Sequence, residues 1–233
     1  AEAFDITYLT KETNHVAAHP TSWGVSTRLL GSLLMTHGDE NGLVFPPTVA
    51  PTQVVLLPVG PWKKNPAILE KLDEIFQELK AKGIRVRLDD SENSPGYKFH
   101  EWELKGACIR IECGPRDLEN GHVMAKVRDV DGKVTVAFDE LLAYIDEQLA
   151  IMPKRLLEQA RLRNKENEHV HINTLDELKE HIEACKKDNR PTGFVLIGWD
   201  GSEETEAKIK EETGFTTRNI PFQAPIELSL IHI

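Results

Sequence analysis

Residues 53–90 read QVVLLPVGPWKKNPAILEKLDEIFQELKAKGIRVRLDD, and this stretch decides the fold class. QVVLLPV (53–59) is apolar on both faces, the pattern of a strand buried inside a sheet. Asn65 to Lys82 repeats apolar residues at helical spacing and stops at Gly83, which tolerates the left-handed backbone that closes a helix. IRVRLDD (84–90) is a second strand. A strand, a helix and a strand in this order imply a sheet covered by helices.

Downstream the alternation continues. YKFHEWELKG (97–106) predicts a short helix closed by Gly106, and ACIRIECG (107–114) a third strand. HVMAKVRD (122–129) predicts a fourth strand and GKVTVAF (132–138) a fifth element, ahead of a long helix from about 139 to 167. Thr174 with Glu177 three positions on forms a capping box opening a further helix; GFVLIGW (193–199) reads as a strand, SEETEAKIKEETG (202–214) as a capped helix and TTRNIPF (216–222) as a last strand. Upstream, AFDITYL (3–9) and HPTSWGVSTR (19–28) read as extended, Leu29 to Met35 as a buried helix, and Pro46, Pro47 and Pro51 as a linker. The expected domains are 1–49, 50–152 and 153–227.

Composition narrows the function. The 233 residues are 40% apolar, ordinary for a globular protein. No apolar run approaches the roughly 18 residues that suggest a membrane helix, and the first ten residues lack the basic start of a signal peptide. Three cysteines, Cys108, Cys113 and Cys185, form no paired framework and suit a reducing compartment, so a cytoplasmic location is expected. Net charge is −10, which argues against holding nucleic acid by general phosphate attraction. Between Tyr97 and Lys133, however, seven acids face seven bases. Local net charge there is zero, so the acidic balance of the whole chain does not exclude specific recognition of a nucleic acid.

Two segments then carry a resemblance. TSWGVSTRLLGSLLMTHGDENGLVFPPTVAPTQVVLLPV (21–59) and GYKFHEWELKGACIRIECGPRDLENG (96–121) closely resemble prolyl-tRNA synthetases of the archaeal and eukaryotic type. The first is similar to motif 3 of a class II synthetase, the second to the anticodon-binding domain, and the likeness runs from about residue 3 to 227. It implies the end of an antiparallel-sheet catalytic domain, an α/β anticodon-binding domain with a mixed sheet, and a small α/β C-terminal domain. It also implies proline–tRNA ligation: ATP activates proline to prolyl-adenylate, and the acyl group passes to tRNA(Pro), with Mg2+ and a homodimer in the full-length enzyme.

By the same resemblance, Arg28 and Ser26 contact ATP. An arginine entering a helix can lay its planar guanidinium on a purine and reach phosphate oxygens. Trp23 and Gly24 would shape the pocket floor, with His19 as a neighbour, and Gly31 would allow tight helix packing. His15 and His37 are read as structural, because this chemistry rests on positioning and charge neutralisation rather than on a side-chain base. Pro20 departs from the polar residue more usual in the family. The resemblance singles out Glu103, Arg110, Asp117 and Lys133 as the guanine-reading set, with Lys105 and Arg116 as phosphate contacts; the plainer reading of each is a solvated ion pair. Phe99 and Trp102 are read as core.

Many family members hold zinc through four cysteines in the C-terminal domain. Here LIGWDGSEETEA lacks cysteine and TTRN ends in Asn219, so no zinc is expected. Cys108 and Cys113 are read as buried apolar residues, and His169 and His171 as poor metal ligands. Motifs 1 and 2 do not occur in these 233 residues, so the chain is expected to be a C-terminal fragment inactive alone; LSLIHI (228–233) is expected to be a non-native tail. The competing reading is a free-standing anticodon-binding module without catalysis, which would have no need of Arg28.

Overall fold

The computed structural model describes residues 2–220, and the segment 228–233 and the end of the expected strand 216–222 lie outside them. The chain forms two compact units that part between Leu149 and Ala150. The first unit opens with an antiparallel pair, β1 (Thr7–Leu9) and β2 (His15–Ala17). It continues through helix α1 (Arg28–Thr36) and a small hairpin, β3 (Gly38–Asp39) with β4 (Gly42–Leu43).

The expected burial of α1 is not observed. The helix forms, but none of its residues is buried: Leu29, Leu30, Leu34 and Met35 are exposed, and no atom lies near the position of a Cβ on Gly31. No described element covers its exposed leucines. The proline-rich stretch expected as a linker is instead fastened down. Phe45 and Ala50 are buried, Arg85 Nε donates to the Ala50 carbonyl at 2.8 Å, and Gln53 Nε2 donates to the Pro47 carbonyl at 3.1 Å.

The central sheet is mixed. Its strands are β5 (Val54–Pro58), β6 (Val86–Leu88), β7 (Ile109–Cys113), β8 (His122–Val127) and β9 (Val134–Ala137), in spatial order β6-β5-β7-β8-β9. β5 runs parallel to β6 and β7, whereas β7–β8 and β8–β9 are antiparallel. β5 is buried along its whole length because it lies inside the sheet with both faces covered.

Helix α2 (Pro66–Ala81) packs against β5 and β6. Its buried residues, Ile68, Leu72, Ile75 and Leu79, recur every three or four positions and so share one stripe. Each contributes about 1.5–3 kcal/mol of apolar burial, and Leu72→Ala would cost about 2–5 kcal/mol. Pro66 pre-sets the first turn, and Gly83, at φ +80°, ends the helix.

Helix α3 (Pro95–Leu104) starts where Ser94 Oγ accepts the Tyr97 N–H at 3.4 Å, and α4 (Pro115–Glu119) follows β7. Helix α5 (Leu141–Glu166) runs unbroken through Pro153. No helix among the described residues is long and apolar enough to cross a membrane.

The second unit pairs β10 (Glu168–His169) in parallel with β11 (Phe194–Val195) and carries α6 (Leu175–Lys187) and α7 (Glu203–Thr213). Ile172, Leu178, Ile182 and Ile209 form its core. The Thr174–Glu177 capping box is present, with Thr174 Oγ1 accepting the Glu177 N–H at 3.2 Å and Glu177 Oε2 accepting the Thr174 N–H at 3.2 Å. Extended pairing in 193–199 is shorter than expected, limited to Phe194–Val195, and residues 216–220 form no strand.

Candidate nucleic-acid interface

Strand alternation places the chemistry on one side of the sheet. Arg110 and Glu112 are two apart on β7 and share a face with Val55 and Leu57, their partners on β5. Ile109, Ile111 and Cys113 take the other face. Helix α3 covers part of the Arg110 side, laying Phe99 and Trp102 on Val55, Leu57 and Ala107. Both aromatics therefore serve the core, as expected.

Next to them the structure assembles four charges. Arg110 Nε donates to Glu112 Oε1 at 2.9 Å, and Arg110 Nη1 donates to Glu103 Oε1 at 2.8 Å. Lys133 Nζ donates to the other Glu112 oxygen at 2.7 Å. Both cations also sit on the Phe99 ring, the guanidinium carbon 4.3 Å and the ammonium 4.7 Å from its centroid. Arg110 and Glu112 are only 6% and 5% exposed. Burying such charges is costly unless they are paired and hydrogen-bonded, and here two carboxylates balance two cations. Lys133 remains 38% exposed and Glu103 27%.

Three of the four expected guanine readers are thus brought together; Asp117 is engaged elsewhere. Its Oδ2 accepts the Gly114 N–H at 2.8 Å, capping α4, and its Oδ1 lies 3.3 Å from His122 Nε2. Of the suggested phosphate contacts, Lys105 is exposed and pairs with Glu101 at 2.7 Å, and Arg116 is exposed.

A shallow depression lined by Trp102, Glu103, Ala107, Arg110, Lys126 and Arg128 lies beside the cluster. Arg128 is fixed by two bonds to Asp39, Nη1–Oδ2 at 2.9 Å and Nη2–Oδ1 at 2.5 Å, while its buried Nε has no partner among the described residues. The bond from Arg128 holds the Asp39 carboxyl below the usual aspartate range, against the opposing pull of partial burial.

The upstream residues form no such assembly. Trp23 is 96% exposed, His19, Ser26 and Arg28 are exposed, and a Cβ on Gly24 would meet nothing within 4 Å. Arg28 begins α1, and the Ser26 carbonyl accepts the Leu29 N–H at 3.0 Å. Their expected pocket is not enclosed by the described residues. His15 lies 3.4 Å from Thr7 Oγ1, and the His37 ring is 6.4 Å from that of Phe45.

Cys108 and Cys113 are buried as expected, and burial pushes their thiols up to about 12 and about 11. The His169 and His181 rings meet at a tilt of 56° with centroids 4.3 Å apart, and His181 Nε2 is 3.5 Å from Cys185 Sγ. Among the described residues no group of three or more His, Cys, Asp or Glu could hold a metal ion.

Glu112 and the Asp39–Arg128 pair were missed in the sequence. The signal for Glu112 was its spacing of two from Arg110 on a strand, which puts both on one face. Nothing local signals the pairing of Asp39 with a residue 89 positions away.

Comparison with known proteins follows the same division. Residues 53–148 match the family described as anticodon binding domain, and residues 175–230 that described as prolyl-tRNA synthetase, C-terminal. A proline–tRNA ligase of Symbiobacterium thermophilum is 45% identical over 225 residues, covering 97% of this chain and 46% of its own length. Proline–tRNA ligase 2 of Clostridioides difficile is 42% identical over 223 residues, covering 95% of this chain and 44% of its own. A crystal structure of prolyl-tRNA synthetase from Cryptosporidium parvum, complexed with L-proline and AMP, matches 91% of this chain and 44% of its own at a TM-score of 0.77 and 34% identity. The chain spans about half the length of the curated relatives it matches.

Proposed function

Because the chain belongs to the prolyl-tRNA synthetase family and aligns with about half the length of its relatives, we propose that it is the tRNA-reading part of a proline–tRNA ligase. The full enzyme would activate proline with ATP and transfer it to tRNA(Pro). One observation carries this reading: Arg110 and Lys133, joined through Glu112, meet Glu103 of α3 in one charged cluster within the segment that matches an anticodon-binding family. A carboxylate beside cations is the chemistry that a guanine edge requires.

In the proposed division, residues 1–49 close the catalytic domain, 50–152 read the anticodon and 153–227 form the C-terminal domain. Ser26 and Arg28 would bind ATP, with His19, Trp23 and Gly24 at the pocket floor; Mg2+ would neutralise the phosphates, and the enzyme would work as a cytoplasmic homodimer. Identity to a full ligase over 225 residues, upstream segment included, favours this over a free-standing binding module.

The test is binding of an anticodon stem-loop to the 233-residue chain. A loop ending in two guanines should bind more tightly than one carrying adenines there, and the chain alone should show no ATP–pyrophosphate exchange. Equal affinity for both loops would overturn the anticodon assignment.

A further inference from the structure

We infer that Glu112 is the positioning residue of the guanine-reading face: one buried carboxylate that aims both Arg110 and Lys133. This rests on the anticodon reading above. The two Glu112 oxygens are divided between the two cations, Oε1 to Arg110 Nε at 2.9 Å and Oε2 to Lys133 Nζ at 2.7 Å. The carboxylate lies on β7, inside the sheet, and is 5% exposed, so its own position is set by the strand and not by solvent.

The consequence for Arg110 follows from its donors. Nε is held by Glu112, and Nη1 by Glu103 and, at 3.4 Å, by the Phe99 carbonyl. Nη2 carries no bond among the described residues, so it is the edge left to a ligand. A guanidinium is planar, and fixing Nε and Nη1 fixes the direction of Nη2. Lys133 has a flexible stem and a compact charge; the Glu112 bond and the Phe99 ring beneath it restrict where that charge sits. Glu112 touches no base in this arrangement. It acts through the two cations, in the way an outer carboxylate orients inner ligands at a metal centre.

A positioning role differs from a purely structural one in what it moves. Loss of fold support weakens every RNA alike, whereas loss of aim removes discrimination between bases. The experiment uses the 233-residue chain and two anticodon stem-loops, one with guanine and one with adenine at the last two anticodon positions. Wild type should prefer guanine by about fivefold to a hundredfold. Glu112→Gln should bring that ratio close to one while binding to the adenine loop changes little. The Arg110 Nε–H resonance, protected in the wild type, should exchange with solvent in the variant.

Lys133→Met, at a half-exposed site, gives a second route should Glu112→Gln fold poorly. It should lower discrimination while leaving the Arg110 Nε–H protected; where Glu112→Gln does fold, adding it to Lys133→Met should cost less than the two single losses combined. An equal loss of affinity for both loops in Glu112→Gln, or full discrimination in Lys133→Met, would overturn the inference and leave the anticodon reading standing. Failure of wild type to prefer guanine would overturn both.

Discussion

Asp39, in the hairpin after α1, and Arg128, just past the end of β8, form a two-bond ion pair across 89 positions of sequence. The pair fastens the segment that precedes the sheet to the strand beside the candidate interface. Arg128 has an 8% exposed side chain, whereas Asp39 is 42% exposed, so solvent screens the pair. In urea unfolding Arg128→Ala should therefore cost about 1 kcal/mol, the upper end for a solvent-screened pair, less than the roughly 3–5 kcal/mol of breaking a fully buried one.

The same pair sets a pH dependence. Asp39 has a lowered folded-state pKa, so its contribution is complete above the unfolded aspartate value of about 4 and fades as pH falls through the lower folded value. In urea unfolding, wild type should be more stable than Asp39→Asn at pH 6. The gap should close as the pH is taken below the ordinary aspartate range.

Asp117 separates capping from reading. Asp117→Ala removes the acceptor of the Gly114 N–H and should cost about 0.5–2 kcal/mol of stability. Asp117→Asn keeps an oxygen there and should unfold near the wild-type temperature. If Asp117 also reads guanine, the Asn variant will lose about 1–3 kcal/mol in stem-loop binding; unchanged binding by the Asn variant would assign the residue to the cap alone.

Cys108 and Cys113 should resist thiol reagents at pH 8, since burial raises both thiols far above that pH. Labelling should reach all three cysteines only after denaturation. Rapid native labelling of either residue would contradict the packing described for β7 and the segment before it.

Gly42 sits at φ +133°, where a Cβ would clash with the Leu104 Cα and lie 2.8 Å from the Glu103 carbonyl oxygen. Gly42→Ala should lower the melting temperature through about 1–3 kcal/mol of backbone strain plus the displacement of α3. Because Glu103 belongs to α3, the guanine preference proposed above should weaken as well, while Gly31→Ala, in open space on α1 and without a positive φ, should leave that preference intact.

Legibility followed the range of the interaction. The five strands and the helices α2 and α3 of residues 53–138 could be read because they advertise themselves locally, through apolar period or a closing glycine, whereas the short α4 (Pro115–Glu119) carried no such signal and was not expected. Of the four residues expected to read guanine, Glu103, Arg110 and Lys133 meet in the structure, which is a statement of geometry and not of their role. The census of seven bases overcounted the cations that stand free at the surface. Lys98 is 1% exposed, its Nζ donating to the Asp89 carbonyl at 2.8 Å, and Arg128 is spent on Asp39. A lysine looks the same in sequence whether it faces water or a backbone carbonyl. The burial expected of α1 failed for a related reason: an apolar stripe states what a helix prefers, not whether a partner surface lies nearby.

The alternation on β7 has a consequence for folding itself. Sliding the strand by one residue would exchange Arg110 and Glu112 with Ile109 and Ile111, forcing two charges into the apolar side and stranding two isoleucines among polar groups. The paired charges on this face therefore also penalise every odd misalignment of the strand. A variant that neutralises both, Arg110→Met with Glu112→Leu, should gain alternative pairings and refold with more trapped species, even if its native state is no less stable.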